Sequence, residues 1–336
     1  MRRWLTRLVG AALFSLWGAP GAAAPLESRL AALEAGFPGE LGVHIRELGS
    51  GRTRGWRDEE PWYLASLVKV PVAIELMARV EAGALSLDER LTLAESDYVD
   101  GAGPTNWAPP GARLSLETLL EAMLTVSDNT ATDMLIRHLG LPAINTRARA
   151  LVPEGLGPIT TLVDVRRHVY AQLHHEAFAL DGLDFIELQK RDSDQARLDW
   201  LSRRLGVPRS AWRLPSLDAA FDAYYGGALN SGRLDGFAEL LAALAEGQAL
   251  GPEASERLLR VMARTRSGER RLKAGFGPAI PFAHKTGTQR RRACDAGIAD
   301  TEEHRLVVVA CVRGVADVAL AERTLRDVGR VLREEW

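Results

Sequence analysis

Lysine is nearly missing from this chain. Of its 42 basic residues only Lys69, Lys190, Lys273 and Lys285 are lysines, and all the others are arginine. Arginine stays protonated in proteins, whereas a buried lysine amine can lose its proton. A chain that meets its need for positive charge with arginine has some reason to keep each lysine. Cysteine is scarcer still. Cys294 and Cys311 are too few for a disulfide scaffold. Charge of one sign is also lacking: a net charge of −2 over 336 residues offers no basic face for nucleic acid. Long apolar runs are confined to the first two dozen residues, and they are too short there to span a bilayer. There is no internal repeat and no low-complexity tract.

The first residues read "MRRWLTRLVGAALFSLWGAPGAAAPLE". Arg2, Arg3 and Arg7 precede an apolar stretch from Leu8 to Gly18, and small residues follow to Ala24. This is the pattern of a secretory signal peptide over 1–24, with cleavage after Ala23 or Ala24. Its removal would leave 312 residues and, with three arginines gone, take the net charge from −2 to about −5. The mature protein is expected to be periplasmic or secreted, a monomer, and free of the membrane once the leader is cleaved.

Residues 26–36 have helical spacing and stop at Gly36. "ELGVHIRE" and "RTRGWR" flank the turn-rich "LGSG" and predict a hairpin. From Ser66 to about Arg266 the pattern is helical, broken by loops such as "DGAGPTNWAPPG". "FAHKTGTQ", "CDAGIAD" and "RLVVVACV" then predict three strands, and an amphipathic helix closes the chain. Strands from the two ends are expected to join one antiparallel five-stranded sheet flanked by the N- and C-terminal helices. This is an α+β fold, a three-layer α/β/α arrangement, with an all-helical lobe inserted. The predicted boundaries are 25–61 and 276–336 for the α/β lobe and 62–275 for the helical lobe. If Asp300 pairs with Arg305 across the "TEEH" turn, Cys294 faces Cys311, either as a bridge or as two packed thiols.

Three stretches carry the chemistry. The first is Ser66-Leu67-Val68-Lys69, the second Ser127-Asp128-Asn129, and the third Lys285-Thr286-Gly287-Thr288 on a predicted strand. Each alone has an ordinary explanation: a capped helix, an N-cap or Asx turn, a strand end with a glycine. Together, two of only four lysines fall inside them. On a helix Lys69 lies one turn from Ser66 and can reach its hydroxyl. A serine needs a base, and a lysine serves as one when burial or a second cation such as Lys285 lowers its pKa. The backbone N–H groups of Ser66 and Thr288 could form an oxyanion hole. Lys285 and Thr286 could bind a substrate carboxylate, Ser127 could relay a proton to a leaving nitrogen, and Asn129 could orient a substrate amide.

In order and kind these motifs resemble those of class A β-lactamases and penicillin-binding proteins. The similarity runs over most of 26–140 and 231–336, through "LGVHIRELGSGRTRGWRDEEPWYLASLVKVP", "LSLETLLEAMLTVSDNTATDML" and "FAHKTGTQRRRACDAGIAD". The resemblance implies a serine hydrolase that opens β-lactam rings through an acyl-Ser66 intermediate, without cofactor or metal. Lys69 would be its base, Ser127 the proton shuttle and Asn129 a substrate contact. Lys285, Thr286, Gly287 and Thr288 would form the carboxylate and oxyanion side. A D-amino-acid peptidase or amidase acting on cell-wall peptides is the neighbouring alternative. A catalytically weak binding protein using the same pocket is the third.

The chain departs from that family in one region. The family's "ExxLN" segment, whose glutamate activates the deacylating water, has no counterpart: the one Leu-Asn pair is Leu229-Asn230, and Gly226 stands three residues before Leu229. Instead about 150–228 is an extra, mostly helical insertion. Glu154, Glu187, Asp218 and Asp222 within it are candidate bases, each with a solvated surface acid as its ordinary reading. Tyr98 and Trp107 are candidates for an aromatic gate before the "SDN" helix. The adjoining His174 and His175 have no partners at zinc-ligand spacing. Arg290, Arg291 and Arg292 form either a solvated turn or a patch favouring an anionic substrate.

Overall fold

The computed structural model describes residues 24–336. The leader expected over 1–24 therefore lies, except for Ala24, outside the described residues. Helix α1 (Leu26–Ala35) precedes strands β1 (Glu40–Glu47) and β2 (Thr53–Trp56). The chain returns to the same sheet only with β3 (Phe282–Gln289), β4 (Arg292–Asp300) and β5 (Arg305–Arg313). The sheet is antiparallel with the order β2-β1-β5-β4-β3, so a strand from each end of the chain meets at its centre. The five-stranded sheet expected from the sequence is the one observed.

β5 shows why its sequence is apolar throughout. Leu306, Val308, Ala310 and Val312 face the core formed with α1 and the C-terminal helix. Val307, Val309 and Cys311 face the helical body. A strand buried on both faces reads as a continuous hydrophobic run, not as an alternation. The terminal helix α13 (Val318–Glu335) buries Ala321, Leu325, Val328 and Leu332 in one stripe, and the Asp317 carboxylate caps its first amides.

Between β2 and β3 run the remaining helices. α2 (Lys69–Glu81) is the axis of the helical body, with every residue from Lys69 to Met77 buried. Such a helix is apolar all round, so Lys69 at its first position is surrounded by protein. α3 (Leu116–Thr125), α4 (Asn129–Leu139) and α5 (Leu141–Leu151) pack about it. The long segment that follows supplies α6 (Leu162–Ala171), α7 (Gly182–Gln189), α8 (Asp194–Leu205) and α9 (Leu217–Tyr225). α10 (Leu234–Ala245), α11 (Pro252–Ala263) and α12 (Leu272–Phe276) lead back to the sheet. Short pairings of Trp62–Tyr63 with Ser231–Gly232, and of Arg90–Thr92 with Arg113–Ser115, lie within a region read from sequence as helical.

The register pairs Asp300 with Arg305 and Cys294 with Cys311. Of the two possibilities left open for the cysteines, the structure has the disulfide. Its sulfurs join β4 to β5 directly behind Tyr63, whose carbonyl lies 3.8 Å from the Cys294 Sγ. Denatured but unreduced protein should therefore take up no thiol alkylator, and reduced protein should take up two equivalents. With the cysteines 17 positions apart in sequence, replacing both by alanine should cost about 2–4 kcal/mol in chemical denaturation. Two labels on unreduced protein would contradict the bridge.

Candidate active site

Ser66 sits in a single 3₁₀ turn, Ala65–Val68, that runs into α2. It is half-buried, and its side chain caps neither that turn nor α2. The capped-helix explanation of the Ser66–Lys69 spacing therefore fails. The residue before it, Ala65, has φ +50°, an unusual conformation for a non-glycine residue. Ser127 has φ +59°. Both strained residues carry or adjoin a hydroxyl of the predicted constellation, which is where backbone strain is commonly kept.

The Ser127 hydroxyl meets two amines, whereas among the described residues no hydrogen bond joins the Ser66 hydroxyl to either. The Lys69 Nζ donates to the Ser127 carbonyl oxygen at 2.7 Å and to the Asn129 Oδ1 at 2.8 Å, and lies 3.1 Å from the Ser127 Oγ. The Lys285 Nζ donates to the same Ser127 Oγ at 3.0 Å and to the Thr286 carbonyl at 2.8 Å. One hydroxyl thus lies between both buried lysines. The pattern suits a neutral Lys69. Its two N–H bonds match the Ser127 and Asn129 oxygens, and its lone pair is left for a hydroxyl proton.

Burial is the chief reason that Lys69 falls from its ordinary 10.5 to about 7, against the nearby charges of Asp128 and Asp133, which pull it upward. Burial also drives Lys285 well down, helped by Lys69 and Arg271. The cation that disfavours Lys69 is Arg166.

β3 brings the third motif against the first. A Cβ on Gly287 would stand 2.6 Å from the Leu64 carbonyl oxygen and 3.3 Å from the Ser66 nitrogen, so only glycine lets the strand lie this close to the serine turn. Lys285, Thr286 and Gly287 are buried and Thr288 is exposed at the strand end. Arg271 holds that end, a role that its sequence context did not signal. Its Nη1 donates to the Gly287 and Cys294 carbonyls at 3.1 and 2.9 Å, and its Nη2 to the Thr288 Oγ1 at 2.7 Å. The Ser267 hydroxyl contacts that of Thr286 at 2.6 Å.

The "SDN" turn is both an N-cap and part of the site. The Asp128 Oδ1 accepts from the Ala131 amide at the start of α4, and its Oδ2 accepts from the Thr105 amide, each at 2.8 Å. The Asn129 Nδ2 donates to the Asp100 carbonyl at 2.7 Å. The Asp100 carboxylate is buried in turn. Its Oδ1 accepts from the Arg166 Nε at 2.7 Å and its Oδ2 from the Gln189 Nε2 at 2.9 Å. Arg166 lies on α6 and Gln189 on α7, so the insertion reaches the back of Asn129 through one carboxylate. Asp133, which burial raises to about 7, accepts from the amides of Leu162 and Val163 at the head of α6, at 2.7 and 3.0 Å. Asp100, Asp133 and Arg166 went unrecognised in the sequence because they belong to no recurring spacing there.

The other candidate residues are spent elsewhere. Asp218 binds Arg290, and Asp222 pairs with Arg291 at 3.1 Å. Glu187 pairs with Lys190, and Glu154 lines a separate groove with Arg233, Asp235 and Glu239. Arg290 also meets Asp194, and Arg292 lies over the Tyr225 ring at 4.6 Å. The three arginines are therefore neither a free turn nor a free anion patch; they fasten the insertion to the β3–β4 turn. Tyr98 is buried with its hydroxyl on the Ala108 carbonyl, whereas Trp107 is 86 % exposed.

The profile of the beta-lactamase enzyme family matches residues 25–336. The chain belongs to that family. A beta-lactamase of Streptomyces albus G is 33 % identical over 165 residues, 44 % of this chain and 52 % of that protein. One of Rhodobacter capsulatus is 34 % identical over 122 residues, 36 % of this chain and 41 % of that protein. The chain thus spans about half the length of the curated relatives it matches. Among solved structures, a beta-lactamase from Sphaerobacter thermophilus superposes with TM-score 0.67 at 24 % identity, covering 92 % of this chain and 96 % of that one. An ancestral class A beta-lactamase gives 0.70 at 22 %, covering 93 % and 100 %. The acyl-enzyme complex of a PBP-A mutant with penicillin G gives 0.67 at 23 %, covering 92 % and 95 %. At these identities the likeness is one of fold, and this member of the family carries its two site lysines within one hydrogen-bonded cluster.

With only four lysines in the chain, the amine of Lys69 can be followed by NMR in protein labelled at lysine nitrogen. Lys69 should lose its proton at about pH 7. The unfolded chain holds that proton to about 10.5, so the folded state binds fewer protons in between. Folding stability should therefore rise with pH across that window. A Lys69 signal that stays protonated to pH 10 would refute the assignment.

Proposed function

We propose that this protein is a secreted serine acyl hydrolase of the class A β-lactamase type, opening β-lactam rings through an acyl-Ser66 intermediate. The observation that carries the reading is the Ser127 hydroxyl held between Lys69 and Lys285, beside a serine on a strained turn. Neutral Lys69 takes the Ser66 proton as Oγ attacks the lactam carbonyl. The oxyanion develops at the N–H groups of Ser66 and Thr288, near the start of α2. Ser127, held by Lys285, gives its proton to the departing lactam nitrogen and takes in its place the proton that Lys69 received, across the 3.1 Å between the Lys69 Nζ and the Ser127 Oγ. Lys285, Thr286 and Arg271 receive the carboxylate on that side, and the second Asn129 N–H orients the acyl-side amide.

Release is the slow half. The acids around Lys69 and Asn129 are Asp100, Asp128 and Asp133, and the oxygens of all three are engaged by the amides and side chains described above. None is free to activate a water. This favours a second reading, a penicillin-binding, peptidase-like enzyme acting on cell-wall peptides. The two readings differ in the lifetime of the acyl-enzyme.

A fluorescent penicillin followed by intact mass tests both. Wild type should gain one adduct, and the labelling rate should climb as pH rises through about 7, where Lys69 loses its proton. Ser66→Ala should gain none. An adduct lost within seconds supports the β-lactamase, and one that persists for many minutes supports the peptidase-like enzyme. Wild type that takes no label, or Ser66→Ala that labels as well as wild type, would refute the assignment of Ser66.

A further inference from the structure

Every arginine of the 290–292 turn is consumed by the insertion, but one buried arginine beside the site is not. Arg166 is 9 % exposed, and its guanidinium offers two hydrogen-bonding edges. Only the Nε edge is used, by the Asp100 Oδ1. Among the described residues neither Nη group donates a hydrogen bond, and neither is a fully buried unpartnered atom, so both keep contact with solvent. Asp100 is itself fixed by Gln189, so the pair is a mount that holds the free edge in one orientation.

That edge lies beside Gly101 and the Asn129 amide. A Cβ added to Gly101 would lie 3.8 Å from the Arg166 Nη2 and 2.6 Å from the Asn129 Nδ2. The two donors therefore flank the same spot. Arg166 is also close enough to the Lys69 amine to help drive off its proton, and it lies near Tyr63, three residues before Ser66. Asn129 orients the acyl-side amide in the mechanism above, whereas Lys285, Thr286 and Arg271 serve the other side of the scissile bond. On the Asn129 side the Nη edge of Arg166 therefore has no hydrogen-bond partner among the described residues.

We propose that Arg166 forms a second anion subsite, taking a carboxylate carried on the acyl half of the substrate. The proposal rests on the acyl-Ser66 reading and narrows it to acyl donors with two carboxylates, one on each side of the reacting amide. A carboxylate suits the free Nη1/Nη2 edge end-on and bidentate. The favoured β-lactams then bear an acidic side chain, and the favoured peptides carry a free carboxyl on the residue that becomes the acyl group.

Benzylpenicillin and α-carboxybenzylpenicillin differ by one carboxylate on the acyl side, and the α-methyl ester of the second controls for bulk. Second-order acylation rates of Ser66 should favour the diacid over both monoacids by about tenfold or more in wild type. In Arg166→Gln the ratio should fall to within about twofold of one, and Arg166→Lys should restore part of it. The ratio cancels any loss of folded protein. If Arg166→Gln fails to fold, Asp100→Asn/Arg166→Gln removes both buried charges and should show the same lost preference. A wild-type ratio near one, or a preference that survives in Arg166→Gln, would overturn the subsite while leaving acylation by benzylpenicillin intact. No acylation by any of the three would instead refute the acyl-Ser66 reading, and the subsite with it.

Discussion

The site depends on burying two lysine amines around one hydroxyl. Taking an ammonium out of water costs several kcal/mol, and a second cation nearby adds to that cost. The fold meets it by letting Lys69 lose its proton and by supplying carbonyl and amide oxygens for the N–H bonds that remain. A chain can hold an amine in this state only inside a rigid frame. Here the frame is α2, buried all round, with β3 pressed against its entry turn at Gly287. The strain at Ala65 and Ser127 is sustained by the same packing.

The insertion is part of that frame. Two of its contacts reach inward: Asp133 takes the first amides of α6, and Asp100 takes Arg166 and Gln189. Two reach outward, where Asp194 and Asp218 on the insertion meet Arg290 on the β3–β4 turn. The outward pairs are partly exposed and individually weak. The inward ones are buried, so losing one partner leaves a charge or an amide without compensation. Each acid spent in this way is an acid withdrawn from the chemistry. The insertion thus braces the site of the three motifs while engaging the acids that lie against Lys69 and Asn129.

Much of this was legible in the residues. The apolar run of 305–312 announced a strand, and pairing Asp300 with Arg305 across the "TEEH" turn gave the register that places the cysteines opposite each other. The three motifs announced themselves by residue type and order, and lysine scarcity singled out two of their members. What stayed hidden was the relation among single residues far apart in sequence. Asp100 and Arg166 are ordinary in their local contexts, one in a glycine-rich loop and the other in an amphipathic helix. Only when α6 packs behind Asn129 do they become a buried pair with a free guanidinium edge. The same holds for the "RRR" turn, which has the composition of a solvated loop until the acids of the insertion meet it.

The sequence by itself determined the family motifs, the order of the elements and the strand register. These rest on local spacing and on side-chain periodicity, which a single chain carries in full. The tertiary structure alone decided the protonation of Lys69, the bridge between Cys294 and Cys311, and the commitment of Asp100, Asp128 and Asp133. Those properties arise from desolvation and from contacts between distant segments, and neither exists until the helices close on the sheet.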